Sequence, residues 1–447
     1  MAELTAPALS LPTQIAYGAG QVAGQVFRDV PSLLLLFFMT SVLGVSPALA
    51  GSAIFLPKLI GGVVFDVSVG LVSDRYAARF ARRHWLLIGA LAAPVAMVVL
   101  FHVPAGSETA IAAYVAVAFA LYMAAFASFS VTYLAVAGDL LLSPHKRTVL
   151  MAWRLAFTAL GVLVAGALAP AYAASQGGGK PGYEAMALML AGLCTVSLLI
   201  GWWGAGQAER TVGSQAALQD KLTRSAALTA LADRRFSVLA LVNLLQLVAA
   251  GMAYAGLMYF ITYNLAIPDA LNRVGPVVLI SCLGILIAQP FWVRLASSIG
   301  KRRAYVIAAL IHAAAHLGWA AASWGGLPVL YGFALVLGIG NSGWAMLGFS
   351  MVGDISSQGG ANHDGASGGK SGLYSAVYIA LDKVAFALGG ALIIGLILSA
   401  FGFDAGAAAV GGPQPESALT GILVAFALAP AACNILAAAI FARWGQV

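Results

Sequence analysis

The sequence predicts an all-α polytopic membrane protein of twelve transmembrane helices arranged as two bundles of six. Three observations predict it. Of 447 residues, 61% are hydrophobic and only 9% charged, whereas a soluble domain carries about 25% charged residues. Apolar stretches long enough to cross the hydrocarbon core, about 20 residues each, recur twelve times. One long polar connection near the middle separates the first six from the last six. Such a chain has no room for the water-facing surface of an ordinary cytosolic enzyme. The formal charge of +7 sits on Lys and Arg clusters between apolar runs, without the aromatic interleaving of a nucleic-acid face. It reads as a topology signal, and no nucleic-acid partner is expected.

In order, the spans lie near 14–44, 47–72, 84–104, 110–137, 148–173, 184–205, 236–264, 274–297, 304–323, 327–352, 372–400 and 417–442. Glycine is frequent within them (51 in the chain), as expected where helices approach closely without a water-driven force between them. Arg75, Arg79, Arg82 and Arg83 follow span 2, Lys146 and Arg147 follow span 4, and Lys301, Arg302 and Arg303 follow span 8. The loops on the other side offer only Lys180 and Arg273. The positive-inside rule then places both termini in the cytoplasm, together with the connection carrying Arg210, Lys221, Arg224, Arg234 and Arg235. The expected organisation is a cytoplasmic N-terminus (1–13), a first bundle (14–205), a cytoplasmic loop (206–235) and a second bundle (236–443). Cys194, Cys282 and Cys433 lie singly in apolar runs, which indicates neither a disulfide framework nor a metal site. The first long apolar run follows a neutral start without a small-residue cleavage pattern, so no cleavable signal peptide is expected.

The two sixes echo each other. Gly138-Asp139-Leu140 at the end of span 4 is followed by Arg154 and Gly161, and Gly353-Asp354-Ile355 at the end of span 10 by Lys383 and Gly390. The basic runs after spans 2 and 8 correspond as well. Two parallel six-helix repeats predict a transporter with its substrate between them and alternating access by rocking.

An ionised side chain at mid-bilayer costs about 2.5–3.5 kcal/mol on insertion scales, so each one kept there has a partner or a task. Arg28, Asp29, Asp66, Arg154, Asp382 and Lys383 all fall inside spans. They either pair structurally or serve transport. Asp66 and Asp29 are the candidate cation-coupling carboxylates. The proton affinity of a carboxylate rises in low dielectric and falls beside a cation, so movement of Arg154 or Lys383 relative to Asp66 would load and unload a coupling ion. In span 1, Gln21, Gln25, Arg28 and Ser32 share one helical face. Candidate substrate contacts are Gln25, Arg28, Arg154, Lys383, Tyr378, Asn243, Tyr254 and Trp344, which offer hydrogen bonds and stacking for a hydroxylated or aromatic ligand. Asn and Gln also serve as interhelical glue. His312 and His316 share a face of span 9, where packing is the simpler reading without a third metal ligand, and Lys58 is expected to snorkel.

At the end of span 2, Gly70-Leu71-Val72-Ser73-Asp74-Arg75 with Arg79, Arg82 and Arg83 resembles the major facilitator superfamily signature between helices 2 and 3. That resemblance implies the major facilitator fold and a cytoplasmic gate at Asp74 and Arg75, with Asp139 and Asp354 as the related acidic positions. More specifically, the chain is similar to the glycoside-pentoside-hexuronide:cation symporters, the family of the melibiose carrier. The residues that carry this likeness are Tyr17-Gly18-Ala19-Gly20, the run from Phe38 to Gly44, Trp85, Arg147, Arg154, the run from Asp233 to Phe236, Tyr259 to Tyr263, Asp354 and Lys383. The family implies a sugar or glycoside moved with sodium, lithium or a proton. It places Asp66 at the cation site, Arg154 at the sugar site and Lys383 as the helix 11 lysine. The chain departs from the family at Gly62, Gln25, Ser130 and Leu134, where the family has a cation-site carboxylate, a sugar-binding Asp, a second cation-site Asp and a stacking Trp. With two carboxylates gone, a proton is favoured over sodium, and no cofactor or metal is expected.

The expected function is thus secondary active symport of a small hydroxylated solute such as a glycoside or oligosaccharide across a bacterial inner membrane, by a monomer whose partners are the solute, the coupling cation and the lipid bilayer. Alternatives are an amphiphile such as a lysolipid, which relatives of the family carry and which the Leu, Gly and Ala replacements suit, and proton-coupled drug export. An embedded enzyme would need a convergent nucleophile, base or metal set, and none is legible.

Overall fold

The computed structural model describes residues 9–75, 82–213, 230–360 and 367–445. It is helical, with no strand among the described residues. We number the spans α1 (11–42), α2 (47–75), α3 (Arg82–Phe101), α4 (Glu108–Asp139), α5 (144–175), α6 (Gly179–Val212), α7 (Arg234–Asn264), α8 (Ala270–Ile299), α9 (Lys301–Ala320), α10 (327–360), α11 (367–400) and α12 (Glu416–Trp444). Among the described residues nine helices are long and apolar enough to cross a membrane unaided. The other three, α1, α2 and α9, carry charges or histidines in mid-span or basic residues at the helix start. Span α10 is entered through Gly326, whose φ of 65° separates it from the end of α9. The sixth span runs past the expected boundary at 205 to Val212, where Gly213 at φ 74° stops it. Part of the connection read as loop is therefore helix, while Lys221 and Arg224 lie outside the described residues, as does Arg79.

Two compact units result. One holds α1–α6 apart from residues 46–52, and the other holds α7–α12 with those residues. Within the first, α1 packs on α5 and α6, α3 on α4 and α6, and α2 on α4. Within the second, α7 packs on α11 and α12, α9 on α10 and α12, and α8 on α10. Each pairing recurs six spans later, so the repeat is structural.

The crossings depend on the absence of side chains. A Cβ on Gly161 of α5 would lie 2.5 Å from Gln25 Cβ and 2.8 Å from Val22 O of α1. The equivalent α7–α11 crossing closes Gly251 onto Phe386 O and Gly390 N. Four π-helical turns recur in pairs: Phe38–Val42 and Phe260–Asn264 close α1 and α7, and Val164–Leu168 and Leu388–Ile393 lie in α5 and α11. Such turns widen the helix locally and concentrate at functional segments.

Candidate functional site

The polar chemistry of the first unit is built on a proline. Pro31 has no N–H, so the carbonyl of Phe27, one turn back, loses its helical partner. Tyr122 of α4 donates its hydroxyl to that carbonyl at 2.7 Å. The next residues adopt a π turn, Pro31–Leu35. Ser32 Oγ donates to Arg28 O at 2.7 Å and accepts from Lys58 Nζ of α2 at 2.8 Å. Lys58 therefore does not snorkel: an acceptor inside the protein is closer at hand than the interface, and the lysine takes it.

On the same turn Asp29 is buried and held from both sides. Arg28 Nε donates to Oδ1 at 3.0 Å and Gln25 Nε2 to Oδ2 at 2.6 Å. The Arg28 side chain is nevertheless 69% exposed. Exposing a guanidinium to lipid midway along a span would be costly. On α5, Arg154 Nε donates to Gln21 Oε1 at 2.7 Å, and its guanidinium carbon lies 5.5 Å from the Tyr133 ring, within cation–π range. Tyr133 stacks on Tyr17 at 4.6 Å. Each of these tyrosines donates its hydroxyl to the other's backbone carbonyl. The face predicted for Gln21, Gln25, Arg28 and Ser32 is thus assembled with Arg154 and Lys58. Asp66 stands half-buried where the π turn Gly61–Phe65 gives way to the α-helical segment Asp66–Arg75.

In the second unit the polar groups are mostly neutral. Asn243 of α7 donates to Asp382 Oδ1 of α11, and Tyr305 of α9 donates to Gln246 Oε1 of α7. Tyr305 and Tyr378 both lie within electrostatic reach of Asp382. Two buried donors of this cluster, Gln246 Nε2 on the amide that Tyr305 engages and Tyr378 Oη near Asp382, have no hydrogen-bond partner among the described residues. Gly348 of α10 makes room for the phenol, since a Cβ there would lie 2.6 Å from Tyr378 Oη. Lys383, the next residue after Asp382, is exposed, and Tyr254 packs near Phe386 of α11 with ring centroids 6.1 Å apart.

Trp344 is placed differently. It is 4% exposed and lies in a file of rings with His312, His316, Trp319 and Phe426. His312 Nδ1 meets Asn434 Oδ1 at 3.0 Å, while Asn434 Nδ2 donates to Pro430 O, which makes the imidazole the donor. Among the described residues no group of three His, Cys, Asp or Glu could hold a metal. The gate positions are described only in part. Arg75 is exposed, Asp139 is buried, and nothing is described of the Asp74 side chain. Arg147 donates to Gly138 O at 3.3 Å and Leu140 O at 3.1 Å, closing the end of α4. Asp354 is ion-paired with Lys301 at the start of α9.

Tyr305, Tyr122 and Asn434 were not singled out by sequence reasoning. Of the three, only Tyr122 has a signal in the sequence, since Pro31 requires that some donor replace its missing N–H.

The family described as MFS/sugar transport protein, the major facilitator superfamily, matches residues 16–445. The inner membrane symporter YicJ of Escherichia coli (strain K12) is 22% identical over 440 residues, covering 98% of this chain and 92% of that protein. The structure of the nucleoside transporter NupG matches with a TM-score of 0.69 at 14% identity over 98% of this chain and 100% of that one. The D-xylose-proton symporter matches with 0.65 at 15% identity over 97% of each. These two likenesses show the fold, twelve helices in the major facilitator arrangement. The chain belongs to the MFS/sugar transport protein family, and it is a multi-pass membrane transporter and not an enzyme.

Proposed function

We propose that this transporter is a cation-coupled symporter of a small hydroxylated solute, such as a glycoside or oligosaccharide, that uses a proton rather than sodium and works by alternating access. The observation that carries the reading is the pairing of exposed or unfilled hydrogen-bonding groups within each unit. Arg28 and Arg154 stand on a rigid amide and tyrosine scaffold in one, and the unpartnered Gln246 Nε2 and Tyr378 Oη belong to the Asp382 cluster in the other. Buried donors left unfilled are costly unless a ligand completes them. A polyhydroxylated solute offers several acceptors at once. The likeness to the inner membrane symporter YicJ and to the D-xylose-proton symporter supports the same reading.

Proton use follows from the ligands. Sodium prefers several oxygens, yet Gly62 and Ser130 stand where the related symporters have carboxylates, and both Asp29 oxygens already accept hydrogen bonds. Asp66 serves as the carboxylate of α2 that responds to the coupling ion, and Asp29 positions Arg28. We place the protein in a bacterial inner membrane as a monomer with both termini cytoplasmic, Asp74, Arg75, Asp139 and Asp354 working at the cytoplasmic side.

The test is uptake into proteoliposomes under an imposed pH or sodium gradient, using radiolabelled methyl glycosides, disaccharides and hexuronides, with lysophosphatidylcholine and ethidium as contrasting probes. Accumulation of a sugar probe driven by the pH gradient supports the reading. Transport of the lysolipid or ethidium alone replaces it with an amphiphile or drug carrier, and accumulation driven by sodium alone removes the proton.

A further inference from the structure

The carboxylates inside the spans are treated very differently by their surroundings. Asp29 receives a guanidinium and an amide, one on each oxygen. Asp382, half-buried on α11, receives one neutral donor, Asn243 Nδ2, on Oδ1. Among the described residues no Lys, Arg or His comes within ion-pair distance of it, and Lys383 beside it is exposed. The groups that face it are Asn243 of α7, which is not titratable, Tyr305 of α9 and Tyr378 of its own helix. The Tyr305 hydroxyl is committed to Gln246 Oε1. Among the described residues no cation is therefore paired with Asp382 to balance its ionised form. An ionised carboxylate inside a span without a paired cation is costly, and a proton on one of its oxygens removes that cost.

We propose that Asp382 is a proton-binding site of the second unit, an acceptor for the coupling proton that the motifs of α2 do not reveal. The proton enters from water onto Oδ2, the oxygen Asn243 leaves free, forming an O–H bond there, and it returns to water when that bond breaks. Deprotonation leaves a carboxylate near the unfilled donor Tyr378 Oη, and Tyr305, also near it, holds the amide whose Nε2 is unfilled, so proton occupancy and cargo hydroxyls act on one linked set of groups. This rests on the proton-symport reading above, though proton binding itself is measured without cargo.

The experiment is the infrared difference spectrum of the full-length protein in lipid between alkaline and acidic pH, for wild type, Asp382→Asn, Asp382→Glu, Asp29→Asn and Asp66→Asn. The expected result is a protonated-carboxyl C=O component that is lost in Asp382→Asn, moves but persists in Asp382→Glu, and survives in both Asp29→Asn and Asp66→Asn. A role as interhelical glue alone gives no such pattern, because Asn in place of Asp382 can still accept from Asn243. A band of full amplitude in Asp382→Asn, or no pH-dependent carboxyl band attributable to residue 382, overturns the proposal. If Asp382→Asn does not yield monodisperse protein, the Glu variant decides: a shifted band supports the site and an unmoved one overturns it. Failure of pH-driven sugar uptake in wild type with the Asp382 band intact sinks the symport reading and not the proton site; uptake without the band sinks the site and not the symport reading.

Discussion

The two units repeat one helix-packing scheme and fill it with opposite electrostatics. In the first, cations are held by described partners: Arg28 pairs with Asp29, Arg154 bonds Gln21 and lies over Tyr133, and Lys58 bonds Ser32. In the second, the polar centre is a carboxylate, two tyrosines and two amides, without a cation on the carboxylate. Fixed charges held by several donors make a rigid grip, whereas a lone carboxylate is free to gain and lose a proton. The difference teaches that duplication supplies the scaffold while each copy fills it with its own polar chemistry, and the proton site proposed above belongs to the second copy.

The sharpest way to break the shared scaffold is at its crossings. Gly161→Leu and Gly251→Leu should each abolish a monodisperse peak in size-exclusion chromatography, since overpacking costs about 1–3 kcal/mol even where neighbours can move and here backbone stands in the way. Tolerance of one but not the other would show that the two crossings are not equivalent. Next in size is Arg154→Lys. It keeps the charge but loses the Nε bond to Gln21 and the planar contact with Tyr133, so sugar-probe affinity should fall roughly 10- to 100-fold, about 1.5–3 kcal/mol; affinity equal to wild type would remove Arg154 from the grip.

Smaller effects probe the support beneath the grip. Tyr122→Phe strands the Phe27 carbonyl and should lower stability by about 1–3 kcal/mol in thermal or denaturant unfolding, with no counterpart in the second unit. The smallest is Lys58→Met, worth about 0.6 kcal/mol if the lysine's value lies in its bond to Ser32. An unchanged melting temperature would return Lys58 to a simple interfacial role.

Much of this was legible in the sequence, for physical reasons. Spans declare themselves through sustained apolar length, and the repeat through Gly161 and Gly390, which must be small because another helix passes there. The stripe of Gln21, Gln25, Arg28 and Ser32 is legible because helical periodicity puts these residues on one face. Contacts between spans were not. Asn243 and Asp382 stand 139 positions apart, and no local pattern links them. The burial of Trp344 within a ring file, in place of an open stacking face, depends on how α9 and α10 pack. The tie of Lys58 to Ser32 depends on a π turn that Pro31 permits but does not announce.

The proposed proton site of the second unit is tested most directly by gradient-driven accumulation against counterflow of the sugar panel in one proteoliposome preparation. The account predicts that Asp382→Asn exchanges a transported sugar across the membrane but no longer concentrates it under an inward pH gradient, while wild type does both. Undiminished concentration by Asp382→Asn would contradict it.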